Sequence, residues 1–232
     1  MCLIPDKSID MILCDLPYQV TNSCSWDIII PFDKLWEQYE RIIKDNGCIA
    51  LTASNKFHYQ LVCSNLKMYK YEWIWEKTQA TGHFNAKKRP MNAHEFIDIF
   101  YNKQPTYNPQ KTTGHKPVNT YTKYLDTVNK TQVYGKCNKE ISGGGETDRY
   151  PRSVITFASD KQTCYLHPTQ KPLALFEYLV KTYTNEGEIV LDNCMGSGTT
   201  AVACINTNRN YIGFELDTTY CDIANKRIQD IV

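Results

Sequence analysis

What this 232-residue chain lacks narrows its class before any motif is read. It has no apolar run near the roughly 18 residues that a membrane-spanning helix needs. Its start, MCLIPDKSID, has neither the charged opening nor the apolar centre of a secretory signal. None of its ten cysteines forms a C-x-x-C pair or stands at zinc-ligand spacing from a histidine, so no metal is expected and a reducing cytosol is the natural compartment. Several of those cysteines lie inside apolar runs, where the thiol packs as a small hydrophobe. The net charge is only +1, which offers no excess of positive charge to hold a polyanion. Nothing in the length demands two independent domains, and a soluble intracellular α/β protein is the expectation.

The charge that is present is unevenly placed. Between Lys77 and Arg152 there are 13 Lys and Arg against 6 Asp and Glu, a local +7 that leaves the remainder at −6. A basic middle is set in an acidic frame, and it is the distribution that points to a phosphate-bearing partner.

Along the chain, apolar runs alternate with amphipathic ones: IDMILCD, FDKLWEQYERII, GCIALTAS after a turn at Asp45-Asn46-Gly47, then FHYQLVCSNL. Strands without polar alternation are those of a parallel sheet covered on both faces. YEWIWEK and EFIDIFYN follow as two further strands, separated by a polar loop that contains Lys87, Lys88 and Arg89. From about Gln104 to Arg152 the amphipathic period is lost, and Lys, Thr, Asn, Gly, Pro and Tyr dominate. That segment reads as a loop-rich insertion into one sheet. The α/β pattern returns with a helix over about Pro172 to Thr184, the strand EIVLD, the helix GTTAVACINTN, the strand NYIGFEL and a last helix TYCDIANKRIQDI.

Three stretches carry chemistry. In IVLDNCMGSGTTAVA a strand ends at Asp192, Gly196 and Gly198 shape the loop, and Thr199 opens a helix. Backbone there can approach a ligand at the carboxyl edge of the sheet. No Gly-Lys-Ser/Thr follows, and the G-x-G-x-x-G spacing is absent. About 20 residues on, the next strand ends at Glu215, where an acid can accept hydrogen bonds from ribose hydroxyls. In LHPTQKP, Pro172 suits a first helical turn, and Thr169 with Lys171 can hold an anionic group near that helix start.

The third stretch is DLPY, Asp15 to Tyr18. Pro17 holds Leu16 extended, which fixes two acceptors, the Asp15 carboxylate and the Leu16 carbonyl, beside a phenol ring. Such a set suits a planar base with an exocyclic amine: two N–H donors meet two acceptors while the ring stacks on the tyrosine. Read singly, each of the three stretches also fits an ordinary structural turn.

Together, and in this order, they resemble the β-class DNA amino-methyltransferases that use S-adenosylmethionine. A D-P-P-Y tetrad there faces the target amine, and a D-P-F-M-G-S-G-T-T loop holds the cofactor. The resemblance covers nearly the whole chain. It implies a Rossmann-like methyltransferase fold, α/β with a mostly parallel sheet and helices on both faces, permuted so that the catalytic half precedes the cofactor half. Residues 1–232 would form one methyltransferase domain with a target-recognition insertion at about 104–152. Because members carry a further strand upstream of the stretch matching IPDKSIDMILCD, an edge strand is expected to be missing.

The resemblance also assigns roles by position. Asp15 and the Leu16 carbonyl, with Pro17, would hold the amine, the Leu16 side chain being negotiable, and Tyr18 would stack on the flipped base. Asp192, Asn193, Cys194, Gly196, Ser197, Gly198 and Thr199 would surround the cofactor, Glu215 would bind its ribose, and Thr169 and Lys171 would lie by its methionine end. Asn193-Cys194 replaces the Pro-Phe of the family loop and removes an aromatic from the pocket. Lys87, Lys88, Arg89, Lys111, Lys116 and Lys123 would contact double-stranded DNA. Aspartate at the first tetrad position is typical of members acting on adenine N6. N4-cytosine methylation is the enzymatic alternative, and a catalytically weak DNA-binding partner subunit the other. A cytoplasmic protein of a bacterium or its phage is implied, with room for a homodimer and a companion restriction endonuclease.

Overall fold

The computed structural model describes residues 1–18, 28–123, 141–160 and 170–231. The elements in chain order are β1 (Ile9–Cys14), α1 (Phe32–Ile42), β2 (Ile43–Ala53), α2 (Asn55–Ser64), β3 (Tyr69–Thr81), β4 (Asn92–Phe100), β5 (Tyr121–Lys123), β6 (Ile141–Gly143), β7 (Val154–Phe157), α3 (Leu173–Tyr183), β8 (Ile189–Asp192), α4 (Thr199–Asn206), β9 (Asn210–Gly213) and α5 (Thr218–Gln229). Seven strands make one sheet in the order β7-β3-β4-β2-β1-β8-β9. Only β4 runs against the others, pairing antiparallel with β2 and β3.

The central strands are apolar on both faces because both faces are covered. Ile12 and Cys14 of β1 and Ile49 and Leu51 of β2 pack with Leu35, Trp36 and Tyr39 of α1 and with Phe57 and Leu61 of α2. The alternate residues Met11, Leu13, Cys48 and Ala50 pack with Leu175, Phe176 and Leu179 of α3 and with Ala203 and Cys204 of α4. This period-two partition of a continuous apolar run follows from the pleat, which sends successive side chains to opposite faces. Burial of each large aliphatic side chain contributes roughly 1.5–3 kcal/mol.

Two sequence expectations need correction. Asp45-Asn46-Gly47 is not a turn before a strand but part of β2. The register passes from Ile9↔Ile43 to Met11↔Cys48, so the extra residues form an irregularity within the pairing. Glycine is required there, since a Cβ on Gly47 would stand 2.9 Å from the Asp10 carbonyl oxygen. The second is β7, an unforeseen four-residue edge strand parallel to β3. Its alternating, half-exposed residues leave little hydrophobic signal beside the polar segment that precedes them.

The chain separates into two units, Met1–Asn108 with Arg152–Val232, and Pro109–Pro151. Within the smaller unit, β5 and β6 pair antiparallel and Thr112 bridges Arg149. Among the described residues, no helix is long and apolar enough to cross a membrane.

Asp98 of β4 is fully buried, with His58 Nδ1 of α2 2.9 Å from its Oδ1. Burial pushes this carboxyl up, against the opposing pull of His58, to about 6. An acid raised in the folded state is neutral in both states below its unfolded value near 4. As pH climbs from about 4 to 6 the unfolded chain ionises first, so stability is lost across that window, by about 2–3 kcal/mol. Asp98→Asn removes this term. The difference in unfolding free energy, variant minus wild type, is expected to rise by that amount between pH 4 and 7, as read by denaturant titration; a flat difference would contradict it.

Candidate active site

The sheet order places a topological switch point between β1 and β8. From β1 the chain passes through α1 on one face to β2, whereas β8 passes through α4 on the other face to β9. Connections that leave on opposite faces open a crevice beyond the carboxyl ends of the two strands. DLPY follows β1 and the glycine loop follows β8, and the two strands pair directly through Met11↔Val190 and Ile12↔Leu191. Residues some 180 positions apart in sequence thereby share one rim.

A cavity of about 730 Å³ opens there. All four residues Asp15 to Tyr18 line it, as do Lys171, Asp192, Asn193, Cys194, Gly196, Ser197, Thr199 and Glu215. Gly198 lies just behind, as the N-cap of α4 with φ +82°, its Cα facing Ala224 of α5, where an added Cβ would be 3.0 Å from the Ala224 Cβ. A side chain at that position meets both backbone strain and a neighbour. Thr169 lies outside the described residues.

The glycine loop is held from three sides. Asp192 accepts from the Cys194 amide at 3.0 Å and from the Thr200 hydroxyl; burial pushes its carboxyl up to about 6 against those bonds. From α1, the Tyr39 hydroxyl donates to Asn193 Oδ1 at 2.5 Å. From α5, Arg227 donates to the Ser197 carbonyl at 3.2 Å and to Thr199 Oγ1 at 3.1 Å. Glu215 Oε2 accepts the Gly196 amide at 2.7 Å, and its Oε1 accepts those of Leu216 and Asp217 at 2.8 and 2.9 Å. A carboxylate has about four acceptor sites, so one remains. Two aromatic residues, Phe214 and Tyr220, also line the cavity.

Around Asp15 the contacts are dense. Lys171 Nζ lies 2.7 Å from Oδ1 and 2.8 Å from Oδ2. The Tyr18 hydroxyl stands 2.6 Å from Oδ1 and 2.7 Å from Thr52 Oγ1, and Thr52 itself donates to Oδ1. The Tyr18 ring stacks on Phe57 with centroids 4.8 Å apart, and the Lys171 ammonium sits over it at 5.3 Å. Burial, then Asp15, pushes the Tyr18 phenol well above its ordinary value, so it stays protonated and able to donate. Leu16 departs from expectation: its side chain is buried in the core cluster shared with Leu35 and Phe57. That side chain is therefore fixed by packing and is not negotiable.

Sequence reading missed Thr52, Lys77 and Glu95. Lys77 and Glu95 form an ion pair of 2.5 Å, and Glu95 lies 3.3 Å from Lys171. Their signal was a charged residue inside an apolar strand, at positions where alternation alone assigns either face.

The basic candidates fall in both units. Lys87 and Lys88 are exposed on the β3–β4 connection, and Arg89 lines a second cavity of about 810 Å³ that also includes Tyr18. In the smaller unit, Lys111 pairs with Asp148 at 2.8 Å and sits 4.3 Å from the Tyr150 ring centroid. Lys116 is exposed, and Lys123 ends β5. Among the described residues, no group of three or more His, Cys, Asp or Glu could hold a metal ion.

A crevice at the switch point, with an acid after one strand and a glycine loop after its neighbour, is the ligand-binding edge of a doubly wound, Rossmann-like α/β protein. The chain belongs to the DNA methylase family with N6 and N4 specificities, which it matches over residues 9–226. It is 29% identical to the type II methyltransferase M.HpaI of Haemophilus parainfluenzae, an alignment covering 97% of this chain and 69% of that protein. It is 27% identical to the DNA adenine methyltransferase YhdJ of Escherichia coli K12, covering 97% and 78%. Among solved structures, the M1.HpyAVI–SAM complex superposes with a TM-score of 0.62 at 25% identity, over 95% of this chain and 89% of that one. The cytosine-N4-specific PvuII DNA methyltransferase shares the fold, with a TM-score of 0.61 at 14% identity over 99% and 86%.

Proposed function

We propose that this chain transfers a methyl group from S-adenosylmethionine to the N6 amine of an adenine turned out of double-stranded DNA. The observation that carries this reading is the Asp15 carboxylate facing the same cavity as the glycine loop. Adenine is favoured by the aspartate at the first tetrad position and by the adenine specificity in the name of YhdJ.

The residues present fit the cofactor. The cavity of about 730 Å³ is of the size that holds drug-sized ligands, and the backbone at Gly196 presents no side chain to it. The free acceptor site of Glu215 suits one ribose hydroxyl. Asp192, Asn193, Cys194, Ser197 and Thr199 would form the remaining walls. S-adenosylmethionine, when bound, supplies a methyl group made electrophilic by its sulfonium.

The protein's own residues then act on the amine. An aromatic amine is a poor nucleophile because its lone pair is delocalised into the ring. Asp15 and the Leu16 carbonyl, accepting its two hydrogens, favour a nitrogen whose lone pair points at the methyl group. Tyr18, held by Thr52 and Phe57, offers a fixed ring for the base to stack on; such stacking contributes about 1–3 kcal/mol. With the cofactor bound, the N–C bond would form as the methyl group's bond to sulfur breaks, leaving the sulfur neutral, and the nitrogen would afterwards release one proton to water. Alignment of the two reactants in one crevice supplies much of the rate.

The segment 104–152 serves in this reading as the target-recognition region, and Lys87, Lys88, Arg89, Lys116 and Lys123 hold phosphates. Lys111, already paired with Asp148, contributes less. The reading leaves room for a homodimer and for a companion restriction endonuclease. Incubation with labelled S-adenosylmethionine and unmethylated genomic DNA is expected to label the DNA. Protein that binds the cofactor and leaves the DNA unlabelled would contradict the proposal.

A further inference from the structure

Next to Asp15 the molecule buries a quartet of charges. Lys77, Glu95, Lys171 and Asp15 have side chains only 12, 14, 7 and 19% exposed. Two are cations and two are anions, so the group is neutral, yet its hydrogen bonds are unevenly shared. Asp15 Oδ1 has Lys171 and Thr52 as donors, and Tyr18 shares its one hydroxyl hydrogen between Oδ1 and Thr52 Oγ1, so both lone pairs of Oδ1 are filled. Glu95 is undersupplied: its Oε1 is held by Lys77 at 2.5 Å, while its Oε2 is buried and makes no hydrogen bond, with Lys171 Nζ 3.3 Å away. A buried carboxylate oxygen left unmatched is costly and calls for a physical explanation.

The crowding at Asp15 supplies one. With Oδ1 saturated, an incoming amine has to use Oδ2, where Lys171 already stands at 2.8 Å. An ammonium in that place competes for the lone pair. It also repels the positive charge that grows on the amine nitrogen during transfer.

We propose that Lys171 is a two-position cation, which caps Asp15 while no base is bound and shifts its hydrogen bond from Asp15 Oδ2 to Glu95 Oε2 when the target amine arrives. Glu95 is then a positioning residue for the reaction, acting through Lys171. The shift is small, about 0.5 Å, which brings the 3.3 Å separation to the length of a charge-assisted bond. The quartet keeps its neutrality throughout. Lys77 does not follow, because Glu95 Oε1 and the Trp75 ring, 5.4 Å away, hold it. The inference rests on the reading of Asp15 as the amine acceptor.

The test compares wild type, Glu95→Gln, Lys171→Met and the double variant, on a duplex carrying a site that the wild type methylates. Glu95→Gln is expected to slow single-turnover transfer roughly tenfold with cofactor affinity unchanged, which also reports an intact fold. It should bind the target-adenine duplex more weakly than wild type does, and bind equally well a duplex with purine, which has no exocyclic amine, at the target position. In the Lys171→Met background the same substitution should cost nothing further, since there is no cation left to receive. A Glu95→Gln rate equal to wild type, or an equal loss in both backgrounds, would overturn the inference while leaving the function intact. A wild-type protein that transfers no methyl group to DNA would instead overturn the functional reading, and this inference with it.

Discussion

Replacing Asp15 by alanine is expected to slow methyl transfer by about 10²–10³-fold, the usual cost of removing one group that stabilises charge developing in a transition state. The carboxylate is the only side-chain acceptor that the tetrad offers to the amine, and the Leu16 carbonyl alone cannot pull both hydrogens out of the ring plane. The substitution also strips Lys171 of its two contacts at 2.7 and 2.8 Å, leaving the ammonium to Glu95. Some loss of stability accompanies the change, so cofactor affinity has to be measured alongside the rate. Calorimetry should find S-adenosylmethionine binding nearly as in wild type, because none of the contacts that hold the glycine loop involves Asp15. Methyl incorporation equal to wild type would remove Asp15 from the mechanism.

Glu215→Ala should act on the opposite half of the reaction. Its carboxylate closes the loop by accepting amides of Gly196, Leu216 and Asp217. Hydrogen bonds to a charged acceptor contribute about 1.5–3 kcal/mol each, and their loss loosens the backbone that approaches the cofactor. A ten- to hundredfold weaker cofactor affinity, on the order of 1.4–2.8 kcal/mol, is the expected result, with the rate at saturating cofactor close to wild type. A variant with normal affinity and a depressed rate would place Glu215 in the chemical step instead. Asp15→Ala and Glu215→Ala thus separate the two halves of the site by which constant each one moves.

Much of this was legible in the sequence, for identifiable reasons. The runs around Met11 and Ile49 read as buried parallel strands because no polar residue interrupts them, and the sheet covers them on both faces. That Gly196 and Glu215 come together at the sheet's carboxyl edge, where Glu215 accepts the Gly196 amide, was readable because a close-approach loop and an acid one strand later stand at a characteristic separation. What escaped depended on tertiary proximity. The four residues of β7 carry too weak an alternation to stand out. The Asp45-Asn46-Gly47 tripeptide has turn composition, yet the pairing of β1 with β2 absorbs it as an irregularity. Lys171 lines the cavity together with the glycine loop, but nothing local announced that its ammonium also stands between Asp15 and Glu95. Glu95 and Lys77 lie 18 residues apart on an antiparallel pair of strands, and no local pattern links them to DLPY.

Leu16 shows the same limit in one residue. The backbone role proposed for it rests on the proline after it, which is plain in the chain. The burial of its side chain against α1 and α2 could be learned only from the fold.

The central claim is that the crevice between β1 and β8 methylates adenine at N6. Its most direct test is to incubate the protein with S-adenosylmethionine labelled in the methyl group and unmethylated genomic DNA, digest the product to nucleosides and identify the labelled one. The expected label is on N6-methyladenine; label on N4-methylcytosine, or none in DNA while the cofactor binds, would contradict the account.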